Sequence, residues 1–150
     1  MVIQKRLRVL LILFLLYLLH YLRLSFFLEI DFSLIGLIFS AYFLDYYSLF
    51  SISWLILLLN YFFTKNFLFF TGGMYLALPL LAKKISSIFN LSFFRFVLLA
   101  CLFLVIYIGL RLLLLNIFGF KNFIYILFKN LGTLILIGLI FGYALIFEKN

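Results

Sequence analysis

Residues 55–84 read LILLLNYFFTKNFLFFTGGMYLALPLLAKK, and the rest of the chain is organised around them. One apolar run ends, a polar break follows at Asn60, Thr64, Lys65 and Asn66, and a second run closes on Lys83 and Lys84. Hydrocarbon offers no hydrogen-bond partners, so those polar side chains belong at a water interface. The stretch reads as a membrane hairpin, out over about 47–63 and back over 67–82, with its turn at 64–66. It also holds the single proline, Pro79, and the only Gly-Gly pair, Gly72 and Gly73.

Composition supports a membrane chain. At 69% hydrophobic and 11% charged it lies far from soluble proteins, in which about 25% of residues are charged. Mean hydropathy is +1.38. The apolar runs exceed the alternating segments of about ten residues found in outer-membrane barrels, so helices are expected. The net charge of +8 is scattered over the ends of apolar runs, where topology and lipid headgroups account for it, so no nucleic-acid partner is expected. A single cysteine, Cys101, excludes an intramolecular disulfide.

Outward from the hairpin, Lys5, Arg6 and Arg8 precede the run 9–19, with His20 and Arg23 beyond it. No small-x-small cleavage site follows, so the expectation is a retained first span over 7–24 with a cytoplasmic N-terminus. Glu29 and Asp31 mark the outer interface. The segment 32–44 has no charge but would reach only about 20 Å as a helix, short of a core of about 30 Å. Either 31–44 is a short span with a turn near Asp45, or 31–59 is one tilted helix. The first is favoured, because Asp45 is costly in mid-bilayer and Tyr46 and Tyr47 suit an interface.

Beyond Lys84, the mixed segment 85–94 reads as a cytoplasmic connection, 95–115 as a span and 123–129 as an interfacial turn or two. The last span is expected at 131–147, ahead of Glu148 and Lys149. The expected fold is an all-α integral membrane protein, a bundle of about six transmembrane helices with short loops and both termini cytoplasmic. This parity keeps both basic clusters, 5–8 and 83–84, on the inside.

No enzyme is expected. One His, one Cys and the carboxylates Glu29, Asp31, Asp45 and Glu148 form no metal-binding spacing, and G-x-S-x-G is absent. No cofactor or metal is implied. What remains is helix packing: Gly138 and Gly142 form G-x-x-x-G, Gly36 and Ser40 a weaker small pair, and Gly73 and Ala77 another beside Gly72. Such spacing lets a second backbone approach closely, within the bundle or from a partner. The polar candidates are Asp31, Asp45, Asn60 and Arg111. Snorkelling explains Arg111 most simply, and a buried pair with Asp31 is the sharper alternative.

The order of these features resembles the rod shape-determining protein MreD family. An acidic residue opens the second segment in EIDFSLIGLIF, and LILLLNYFFTKNFLFFTGGMYLALPLLAKK and LGTLILIGLIFGYALIF follow the family's later order. The family usually has Pro where this chain has Ile30 and Asp where it has Asn60. The resemblance implies a non-enzymatic scaffold of the bacterial inner membrane, part of the lateral cell-wall machinery. Its implied partners are an MreC-like single-span protein and, through it, RodA, a class B penicillin-binding protein and MreB. A fold shared with substrate-binding subunits of energy-coupling-factor vitamin transporters makes that class the alternative; Trp54, Asn60 and Asn66 would then contribute to the cavity. A flippase for lipid-linked sugars would rest on Arg111 alone.

Overall fold

The computed structural model describes residues 2–22, 31–64, 69–114 and 119–143, and all regular structure among them is helical. The helices are α1 (Val2–Leu22), α2 (Phe32–Phe43), α3 (Tyr46–Thr64), α4 (Phe69–Phe89), α5 (Phe93–Leu114) and α6 (Phe120–Gly142). Arg23, Glu29, Lys65, Asn66, Ala144 and Glu148 lie outside the described residues, as does most of the turn expected at 64–66.

The shortest helix is the centre. Every residue from 31 to 41 is buried, and α2 packs against α1, α3, α4, α5 and α6. Its sequence, FSLIGLIFSAYF, is apolar around the whole circumference, the pattern of a helix enclosed on all sides. Leu34, Ile35, Leu37, Ile38 and Phe39 are completely buried. The chain breaks from α2 into α3 at Leu44 and Asp45, so 31–59 is not one long helix.

Close packing around α2 depends on glycine at three points. A Cβ on Gly36 would stand 2.7 Å from Leu16 Cδ1 of α1. One on Gly138 would stand 3.0 Å from Phe39 Cζ, and one on Gly142 3.1 Å from Phe93 Cε1. The last span's glycines therefore receive rings from α2 and α5. Phe39 itself lies 5.8 Å from Phe141 and 6.3 Å from both Phe93 and Phe96, ring centre to ring centre. Ser40 turns its hydroxyl back onto the Leu37 carbonyl at 2.7 Å. Gly72 is buried, but Gly73 and Ala77 are exposed, and nothing lies within 4 Å of a Cβ built on Gly73.

Three boundaries differ from the sequence expectation. α4 continues past Lys83 and Lys84 to Phe89, so part of the expected connection 85–94 is helix. It stops where Asn90 adopts φ 45° and the Leu91 N–H returns to the Ser86 carbonyl at 3.2 Å, a left-handed C-terminal cap. α6 begins at Phe120, so 123–129 is part of one continuous helix and not a separate interfacial turn. Two polar residues inside this helix have local partners: Lys129 lies 4.3 Å from the Tyr125 ring centre, and the Asn130 amide donates to the Ile126 carbonyl at 2.9 Å. α1 already starts at Val2.

Among the described residues, two helices are long and apolar enough to cross a membrane, α5 and α6, with mean hydropathies of 2.7 and 2.0 over their most apolar stretches. Only 33% and 22% of those stretches is buried within the bundle. α2 and the part of α3 over Tyr46–Tyr61 are apolar but shorter. By length and composition, then, two of the six expected spans are long and apolar enough to cross a membrane among the described residues.

The glycine contacts separate two substitutions. Gly138→Ala should overpack the Phe39 ring and lower unfolding stability by about 1–3 kcal/mol. Gly73→Ala, in open space on a helix, should leave stability unchanged or raise it by up to about 1 kcal/mol. Denaturant unfolding of the two purified variants beside the parent chain checks both.

Candidate functional site

Asp31 immediately precedes α2 and caps it, its Oδ1 accepting the Leu34 N–H at 3.1 Å. A carboxylate here satisfies one of the free N–H groups of the first turn and faces the positive end of the helix dipole. The residue is only 6% exposed. Burial of a carboxylate demands further donors, and three other helices supply partners. The Tyr75 hydroxyl of α4 donates to Oδ1, and the Tyr107 hydroxyl of α5 donates to Oδ2 at 3.0 Å. From α6, the Asn130 side-chain oxygen accepts the Asp31 N–H at 3.3 Å. Tyr75, Tyr107 and Asn130 are themselves almost fully buried.

Arg111 lies one turn beyond Tyr107 on α5, near enough for its charge to act on the Tyr75 and Tyr107 hydroxyls. Snorkelling is the simpler expectation for Arg111 and a pair with Asp31 the alternative; the structure sets both beside Tyr107, Asp31 through its hydrogen bond and Arg111 one turn along α5. It also adds three residues that sequence reasoning missed. The available signals were Tyr107 four residues before Arg111, and Asn130 inside an otherwise apolar run.

The opposite end of the bundle has its own polar contact. Asp45 Oδ1 lies 3.2 Å from an Arg6 guanidinium nitrogen and accepts the Ser48 hydroxyl at 2.8 Å. Nearby, the Tyr46 and Ser87 hydroxyls bond at 3.2 Å, tying the start of α3 to the end of α4. The Ser48 hydroxyl, opposed by partial burial, holds the Asp45 carboxyl below the usual carboxylate range, and Arg6 adds a smaller effect in the same direction. Asn60 is half-buried near the end of α3.

Chemically the Asp31 cluster is closed. Its carboxylate receives three donors from α2, α4 and α5, and its backbone N–H reaches α6, so this one residue ties four helices together. No group of three or more His, Cys, Asp or Glu residues capable of holding a metal ion occurs among the described residues. Comparison with family models, curated proteins and solved structures gives no significant match to the chain.

Asp31→Leu would leave the Tyr75 and Tyr107 hydroxyls and the Leu34 N–H without their acceptor. Each unsatisfied buried group costs about 1–3 kcal/mol, so the variant should lose at least about 3 kcal/mol, whereas Tyr107→Phe should lose about 1–2 kcal/mol. Chemical unfolding of the purified variants measures the difference. The Asp45 interaction has a defined acid limb. Because its folded-state pKa is lowered, its contribution is present above the unfolded value of about 3.9 and is lost as pH falls through the folded value. Asp45→Asn should therefore flatten that part of the stability profile below about pH 4, read from thermal midpoints across acid pH.

Proposed function

We propose that this chain is a non-enzymatic membrane scaffold of the MreD type, crossing the bacterial inner membrane six times with both termini in the cytoplasm. It docks an MreC-like single-span protein through helix packing, and through it the peptidoglycan synthases of lateral wall growth. The supporting observation is the division of labour among its side chains. The buried polar groups around Asp31 join helices to one another, while large apolar side chains cover the outside, including Leu98, Leu102, Ile106 and Leu113 on α5. Apolar faces of this extent suit lipid and partner helices, not water. The order of features along the sequence supports the same reading. The vitamin-transporter alternative draws less support, because Trp54 sits on an exposed face beside Phe50 instead of lining an interior.

Arg6 and Asp45 meet at one end of the bundle, and Asp31, Tyr75 and Tyr107 meet at the other. Six spans with this alternation place Tyr47 and Asn122 on opposite sides of the membrane. In a Cys101→Ser background, Tyr47→Cys should react only with reagent admitted to the cytoplasm and Asn122→Cys only with reagent outside. Labelling of both from one side would remove the six-span reading. Depletion should abolish rod shape, and the tagged chain should co-purify with a single-span periplasmic coiled-coil protein. Normal shape and peptidoglycan insertion after depletion would count decisively against the scaffold.

A further inference from the structure

The polar contact between Arg6 and Asp45 stands at the mouth of a cavity that the scaffold function does not use. This cavity, about 280 Å³, is lined by α1 and α3 together with Leu44. The two helices start at the same end of the bundle, because Arg6 near the start of α1 meets Asp45 just before α3. Their residues therefore descend in step. Arg6 lies one turn before Leu10 on α1, and Tyr47 and Ser48 lie one turn before Ser51 and Ile52 on α3. The cavity is thus cationic and polar at its mouth, while one turn deeper Leu10 and Ile52 are apolar and the Ser51 hydroxyl is turned onto the Tyr47 carbonyl.

The donors left open at the mouth select the ligand. Ser48 Oγ already donates to Asp45 and Ser51 Oγ to the Tyr47 carbonyl, at 2.8 and 2.9 Å. The Arg6 guanidinium offers further N–H groups beyond the one facing Asp45, on a side chain 52% exposed. Tyr47, 81% exposed, can offer its O–H. Asp45 holds Arg6 over the opening, and Lys5, whose ammonium lies 5.5 Å from the Phe43 ring centre, keeps this end positive. A planar, multi-donor cation beside a hydroxyl is suited to a phosphate monoanion. Leu10, Leu44 and Ile52 are suited to hydrocarbon. We propose that this groove seats one anionic glycerophospholipid, its phosphate on Arg6 and Tyr47 and an acyl chain running between α1 and α3. The inference rests on the bilayer reading above, but not on the identity of any protein partner.

The test uses the purified full-length chain in detergent, supplemented with dioleoylphosphatidylglycerol, with retained lipid counted by native mass spectrometry. The parent chain should retain one lipid per chain in preference to others. Arg6→Gln should weaken retention about tenfold, the effect of losing one charge-assisted contact. Leu10→Trp should weaken it similarly by filling the apolar wall while leaving every charge in place. Where that variant melts early, Ser51→Trp at an exposed position replaces it. Lys84→Gln, which removes the same charge elsewhere at this end, should change nothing. The proposal is overturned if Lys84→Gln costs as much as Arg6→Gln, which would mean diffuse attraction. It also falls if the tryptophan variants retain lipid fully, or if excess glycerol 3-phosphate displaces the lipid and so shows a site for phosphate alone. Failure of the bilayer reading itself would register in the cysteine labelling, not in these ratios.

Discussion

A carboxylate buried at the start of a completely enclosed helix sets the terms for the rest of this bundle. α2 has twelve residues, about 18 Å at 1.5 Å each, well short of a hydrocarbon core of about 30 Å. Exposed to lipid, such a helix would leave its first N–H groups and Asp31 in an environment without partners. Surrounded by other helices, it has its end met by protein instead. Tyr75, Tyr107 and Asn130 each come from a different helix, so satisfying the carboxylate and the backbone N–H of one residue brings α4, α5 and α6 to a common level. Hydrogen bonds supply direction here, where apolar contact alone would permit the helices to slide.

The other end of α2 is set by shape. Phe39 occupies the space that Gly138 leaves open, and Phe93 the space that Gly142 leaves open. A small-residue motif and an aromatic cluster are therefore two halves of one contact. This bears on how G-x-x-x-G is read in a chain rich in phenylalanine: the glycines receive rings from within the same chain, and a partner's backbone is not needed to explain them. The exposed pair Gly73 and Ala77 has the same spacing and no such neighbour at Gly73.

Helical class and the break at Asp45 were legible because both depend on composition and on the cost of a lone charge. Which helix lies at the centre was not. A thirteen-residue uncharged stretch looked like a span too short for its purpose, and its brevity becomes intelligible only when its neighbours are known. Asp31 was visible as a polar outlier; its partners were hidden because tyrosine is so common in this chain that no single one stands out. The start of α6 was misread for a related reason. Lys129 and Asn130 resemble a boundary in sequence, yet a ring one turn earlier and an inward-facing amide accommodate them within a helix.

The two polar contacts differ in what they leave available. Around Asp31 the donors and acceptors face inward, and the carboxylate's two oxygens already accept from a backbone N–H and two hydroxyls. Around Asp45 the same residue type is half-exposed, and its ion pair engages only part of a guanidinium. Low dielectric explains the contrast: a buried carboxylate with unmet bonding capacity would be strongly destabilising, whereas one at a water interface can share partners with solvent or a ligand. Enclosure thus divides the two described carboxylates, Asp31 and Asp45, by role. The enclosed one orders the bundle, and the exposed one leaves the adjacent arginine open to molecules arriving from outside.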